Sequence, residues 1–196
     1  MSAPRRLLAV ALLALGPAFA GEFRADFAGP LASPWRARQG IWKIADGAAH
    51  GTKDPASKHP AKLDLLLPQR DGTLEFAFRT DVAGGVDLFF NRGDIRLAVV
   101  ELRASGVAFA TYPKTKAVPS EPTYLARSAA GLAPGAWHAV RVERAGDTLR
   151  VRCEGGPALD VTGTGLAGEE TTWMFNLRGP PGLNFSLARV RATPAP

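Results

Sequence analysis

The chain has 196 residues, 46% of them hydrophobic and 21% charged, with a formal net charge of +6, a size and balance that suit one domain with a sizeable core. Its single cysteine, Cys153, excludes an internal disulfide. Beyond residue 20 no apolar run approaches the roughly 20 residues of a membrane-spanning helix, and the lack of a recognised module or dense basic tract speaks against nucleic acid as a partner.

Residues 1–20 carry Arg5 and Arg6, an apolar run from Leu7 to Leu15 and the small-residue end Ala18-Phe19-Ala20, which is the layout of a cleavable signal peptide. The expectation is export, to the periplasm or the extracellular space, with cleavage near Ala20 and a single domain over 21–196. The residue directly after the cleavage point is Gly21 and not a cysteine, which argues against a lipid anchor there. Losing Arg5 and Arg6 takes the formal charge from +6 to +4.

From Gly21 onward, short extended segments alternate with Gly, Pro, Asp and Asn, the cadence of an all-β protein. The pattern predicts strands over 22–27, 35–38, 41–44, 61–67, 73–80, 86–91, 95–104, 107–112, 137–144, 148–154, 158–161, 173–178 and 184–191. Within 41–44 an aromatic strand ends at the turn dipeptide Asp46-Gly47. In 73–80, Leu74, Phe76 and Phe78 share one face, and in 86–91 Val86, Leu88 and Phe90 turn inward while Asp87, Phe89 and Asn91 take the opposite face. Ala145-Gly146-Asp147 reads as a hairpin turn. Cys153 continues the face of Leu149 and Val151 and reads as a small buried apolar residue. Segments 50–60 and 113–122 read as loops. So many strands exceed one open sheet, so the expected fold is a two-sheet antiparallel β-sandwich.

Several groups are candidates for chemistry. Asp87 and Glu101 lie on neighbouring predicted strands, and two facing carboxyl groups are the usual machinery of glycoside hydrolysis. Sugar recognition needs apolar surface beside a few directed polar groups; Trp173 with Asn176 and Arg178, or Tyr112 with the loop after it, offers both. The histidines are His50, His59 and His138. Their spacing matches no zinc signature, and His50 and His59 bracket one loop, which makes His50 a candidate ligand contact. Calcium held by Asp87, Asn91 and Asp94 fits no known loop, so no cofactor is expected. The pairs Arg150 with Arg152 and Arg189 with Arg191 each project from one strand face, either as a solvated outer surface or as an attraction for an acidic partner such as an anionic polysaccharide.

The entry Trp35 to Gly47, the strand around Leu74, the Phe89-Phe90 strand behind Gly84-Gly85, the strand led by Trp137-His138 and the closing strand from Asn184 resemble the concanavalin A-like domains of the 3-keto-disaccharide hydrolase or 3-keto-glucoside lyase/hydratase family. The resemblance spans nearly the whole chain after Gly21. It implies a jelly roll of the lectin and glucanase type whose concave sheet receives carbohydrate and, in some members, cleaves 3-keto-glycosides. It also implies site roles for Asp87, Asn91 and Arg92, for Glu101, and for Arg103, which stands where the family often has Gln. The family's Asn-Ser-Gly is missing, and Arg92 falls one residue late. Three functions are therefore carried forward: a secreted glycan-binding domain, a hydrolase or lyase acting on 3-keto-glycosides, and a non-enzymatic envelope interaction domain.

Overall fold

The computed structural model describes residues 21–114, 121–180 and 182–195; the expected signal peptide and the middle of the expected 113–122 loop lie outside them. The described residues hold fifteen strands and no helix. They are β1 (Phe23–Ala25), β2 (Trp35–Gln39), β3 (Ile41–Ala45), β4 (Ala48–Thr52), β5 (Lys62–Gln69), β6 (Gly72–Thr80), β7 (Gly85–Arg92) and β8 (Ile95–Arg103). The remainder are β9 (Gly106–Thr111), β10 (Thr123–Ser128), β11 (His138–Ala145), β12 (Thr148–Cys153), β13 (Ala158–Thr162), β14 (Thr171–Arg178) and β15 (Asn184–Pro194).

These strands make two antiparallel sheets, as their alternation requires. An eight-stranded sheet runs β13-β12-β11-β6-β15-β4-β3 with β1 added on β15, and a seven-stranded sheet runs β10-β9-β8-β7-β14-β5-β2. The pairings of β6 with β15 and of β7 with β14 bring the end of the chain back into the middle of both sheets.

The inner faces share one core. Leu74, Phe76 and Phe78 of β6, Val140 and Val142 of β11, and Phe185 of β15 meet Leu63 and Leu65 of β5, Leu88 and Phe90 of β7, and Phe175 of β14. Phe76 and Phe175 touch edge to face across the two layers, with ring centroids 5.2 Å apart. Each such side chain contributes about 1.5–3 kcal/mol on burial. Cys153 packs here with Leu149 and Val151, and burial pushes its thiol up to about 11.

Gly40 lets the chain change layers. It joins β2 of one sheet to β3 of the other with a φ of +83°, and a Cβ there would stand 2.3 Å from that of Ala61. Only glycine takes this conformation at that approach.

Two strands depart from the sequence expectation. β4 occupies the start of the expected 50–60 loop, so His50 lies in a strand. Its residues include no aromatic or β-branched run, yet the Asp46-Gly47 turn, with φ of 51° and 70°, folds it back on β3 while β15 pairs its other side. Gly51 within it leaves room for Trp42, whose ring carbons lie 2.7 Å from where a Cβ would be. β10 is an outer strand on β9, and its register shifts between Tyr124 and Ala126, leaving Leu125 41% exposed. The opposite outer strand, β2, shifts likewise between Ala37 and Gln39. β11 begins at His138, and Trp137 is left exposed beneath the Arg79 guanidinium.

Candidate functional site

Strand alternation decides what the seven-stranded sheet presents on the side away from the core. Because Trp173, Phe175 and Leu177 enter the core, Met174, Asn176 and Arg178 face outward on β14. By the same logic β5 presents Lys62 and Asp64 around Leu63, β7 presents Asp87 and Phe89 around Leu88, and β8 presents Glu101 and Arg103 around Leu102. Register aligns these into rows. Lys62, Asn176, Asp87 and Glu101 stand opposite one another strand by strand, and the next row is Asp64, Met174, Phe89 and Val99.

Asp87 and Glu101 are directly opposed and share one cation. Arg103 Nη2 donates to Asp87 Oδ1 at 2.8 Å and lies 3.0 Å from Glu101 Oε1, while Arg178 Nε donates to Asp87 Oδ2 at 2.6 Å. Tyr124 of β10 donates its hydroxyl to Glu101 Oε1 at 3.0 Å. Burial and then this bond to Glu101 raise the phenol above its ordinary range, so it stays a donor. Every side-chain partner given for the two carboxyls is a donor, so Asp87 accepts at both oxygens and Glu101 at Oε1. Asp87 is 1% exposed, so its two guanidiniums neutralise a charge that would otherwise be costly to bury. A hollow of 310 Å³ lined by Gly84, Arg103, Ala104, Ser105 and Arg178 opens beside this cluster.

Below the polar row, Phe89, Val99, Ala110 and Met174 form a second apolar cluster with Tyr112 packed against it. Arg96 stacks over Phe89 at 4.0 Å and over Tyr112 at 5.2 Å, and Arg127 stacks over Tyr124 at 3.7 Å. Flat aromatic and guanidinium surfaces therefore alternate with hydrogen-bonding groups. At the other side of the face, Asp64 Oδ2 accepts from Arg36 at 2.7 Å and lies 3.6 Å from Arg38. Burial first, then repulsion from Arg38, Arg96 and Arg178, draws Lys62 below the usual lysine range. The second oxygen of Asp64 and the side-chain oxygen of Asn176 are buried with no hydrogen-bond partner among the described residues.

Of the residues singled out from sequence, Asp87, Glu101, Arg103, Asn176, Arg178 and Tyr112 share this face. Asn91 is buried at its end, against Thr172 and Arg96 in register. Beyond a register shift at Phe90, Arg92 pairs with Glu169 at 2.7 Å, and Lys114 and Arg92 together hold that carboxyl below its ordinary range. Two residues lie elsewhere. Trp173 points into the core on the face opposite Asn176 and Arg178, because three residues along a strand reverse the side. His50 belongs to the eight-stranded sheet, its ring nitrogens 3.0 Å from Ser186 Oγ and 3.1 Å from the Ala45 carbonyl oxygen. Lys62, Asp64, Arg96 and Tyr124 were not marked by sequence; the alternation Lys62-Leu63-Asp64-Leu65 is the signal that exposes the first two.

Three of the four paired arginines of the eight-stranded sheet are engaged by acids, and among the described residues Arg189 has no carboxylate within ion-pair distance. Arg191 meets Glu22 at 3.0 Å and Glu75 at 3.6 Å, Arg141 bridges Glu75 and Glu143, and Arg150 and Arg152 share Asp160. Hollows of 290 and 410 Å³ lie over this sheet. The first is slightly smaller and the second larger than the hollow beside Asp87, but Arg141, Arg150 and Arg152 along them are already paired with acids, so the seven-stranded face is the better candidate. Among the described residues no three His, Cys, Asp or Glu side chains gather as a metal site, and no helix is long and apolar enough to cross a membrane.

No protein-family model and no curated protein matches the sequence. Solved structures do match in fold. The carbohydrate binding module CBM66 from Bacillus subtilis aligns with a TM-score of 0.58 at 12% identity, covering 81% of this chain and 95% of that one. A Bacillus licheniformis beta-glucanase aligns at 0.67 and 14% identity, covering 90% and 100%. SCLam, a non-specific endo-beta-1,3(4)-glucanase from family GH16, aligns at 0.60 and 12% identity, covering 87% and 89%. At these identities the likeness establishes the jelly-roll β-sandwich.

Proposed function

We propose that the protein is an exported carbohydrate-binding β-sandwich that holds a glycan on the outer face of its seven-stranded sheet without cleaving it. The observation that carries the reading is the row Lys62, Asn176, Asp87 and Glu101, which crosses the strands and ends at the half-exposed ring of Tyr124. Directed polar groups beside aromatic surface are what a sugar requires. Carbohydrate-binding modules and glucanases among the structures of the same fold support the ligand class. The donors around Asp87 and Glu101 support binding over hydrolysis. The test is a glycan array of neutral and uronic-acid polymers, followed by titration of the best ligand with Tyr124→Ala; binding weakened about tenfold is expected, since base and sugar platforms of this kind are worth on the order of 1 kcal/mol or more. Absence of binding at millimolar ligand sinks the proposal and favours the envelope interaction domain.

One observation favours a second reading, cleavage of 3-keto-glycosides: the direct opposition of Asp87 and Glu101 on neighbouring strands. Incubation with 3-keto-trehalose tests it. Turnover abolished by Glu101→Gln supports an enzyme, and no turnover by the parent protein removes this reading.

A further inference from the structure

The face around Asn176 carries two unanswered demands. The first is for an anion. Arg36 and Arg38 are turned to Asp64, and Arg178 and Arg103 to Asp87. Among the described residues no carboxylate lies within ion-pair distance of Lys62 or Arg96, and Lys62 sits in the repulsive field of three arginines, with Asp64 acting against them from farther away. Arg96 is held flat over Phe89 and Tyr112, and among the described residues its guanidinium makes no side-chain hydrogen bond. The second demand is for hydrogen-bond donors. Asp64 is 3% and Asn176 2% exposed, and one oxygen of each is unpartnered. Buried acceptors are costly to leave in that state.

A neutral sugar answers only the acceptors, and a bare sulfate or phosphate answers only the cations. A sugar that bears its own carboxylate answers both. We infer that this part of the face is a subsite for a uronic acid unit, its carboxylate taken by Lys62 and Arg96 and its hydroxyls donating to Asp64 and Asn176. The inference rests on the glycan-binding reading above. Lys62 and Arg96 are long and adaptable, and they turn toward the ligand as it settles on the row. The anionic partner is thus assigned to the seven-stranded sheet, and not to the arginine pairs of the other sheet, where Arg150, Arg152 and Arg191 already meet carboxylates.

The test is equilibrium binding of the purified protein to polygalacturonate, to the same polymer after chemical reduction of its carboxyls, and to dextran sulfate. Polygalacturonate is expected to bind at least tenfold more tightly than its reduced form and to weaken steeply with salt. Lys62→Gln and Arg96→Gln are each expected to weaken it about tenfold, the scale of one charge-assisted hydrogen bond, while Arg150→Gln on the other sheet leaves it unchanged. All three variants lie at accessible positions, and an unaltered unfolding midpoint confirms that they fold. Equal binding of the reduced polymer overturns the uronate subsite and leaves the glycan reading in place. Binding of none of the three overturns both. Dextran sulfate bound as tightly as polygalacturonate also overturns the subsite, because it shows a field acting without hydroxyl recognition.

Discussion

Replacing Arg103 by Met removes the cation that Asp87 and Glu101 share while keeping an unbranched apolar stem in its place. Asp87 is left with Arg178 at 2.6 Å and Glu101 with Tyr124 at 3.0 Å, so neither carboxylate is stripped of partners. The loss is therefore smaller than the 3–5 kcal/mol of breaking an isolated buried pair. The Asp87 arm is a charge-assisted hydrogen bond to a side chain only 2% exposed, and it contributes about 1.5–3 kcal/mol. The Glu101 arm is partly solvated, since Arg103 is 33% exposed, and it adds about 0–1 kcal/mol. The sum is about 1.5–4 kcal/mol, or a fall of about 3–16 °C in Tm for a chain of this size. Urea unfolding followed by tryptophan fluorescence measures it. In a Glu101→Gln background the same change should cost at least about 0.5 kcal/mol less, because the opposed charges no longer repel. A loss below about 0.5 kcal/mol in the single variant, the level of an ordinary surface substitution, refutes the shared-cation geometry.

Four further outcomes follow from the fold. The Cys153 thiol, pushed up to about 11 from 9.0 by burial, keeps its proton in the folded chain over a window in which the unfolded chain loses it. Its contribution is complete below pH 9 and declines by about 1.4 kcal/mol per pH unit as pH rises toward 11, and Cys153→Ala should remove that slope in urea titrations. The same burial predicts that a thiol reagent at pH 8 labels Cys153 only after unfolding; rapid labelling of the native protein contradicts its place in the core. Gly40→Ala should destabilise by at least about 2 kcal/mol, from the strained φ together with the approach to Ala61, and circular dichroism on heating reads the lowered Tm. Arg191→Ala, on the eight-stranded sheet, should change stability by less than about 1 kcal/mol, because its partners are exposed, and should leave glycan affinity unaltered by titration calorimetry.

Period-two alternation made most of the sandwich legible, since Leu74, Phe76 and Phe78 or Val86, Leu88 and Phe90 can only be half-buried strands. It failed at β4, where small residues are required by the overlying Trp42 ring and extension is imposed by strands on both sides. The Asp87 and Glu101 pairing was accessible because β7 and β8 form a local hairpin. Asn176 and Lys62 join that row only through contacts between distant parts of the chain, and no local pattern reports such a register. Trp173 shows the converse error: proximity in sequence grouped it with Asn176, although a spacing of three along a strand places them on opposite sides.

The register shifts in β2 and β10 bear on how copies of this molecule meet. An outermost strand with evenly spaced free amides is a template for a strand from a neighbour, and stacking of that kind leads to fibrils. Both borders of the seven-stranded sheet break that spacing, one beside Arg36 and Arg38 and the other where Leu125 bulges out next to Arg127. A β-rich chain without a disulfide is thus guarded against self-templating by irregular borders.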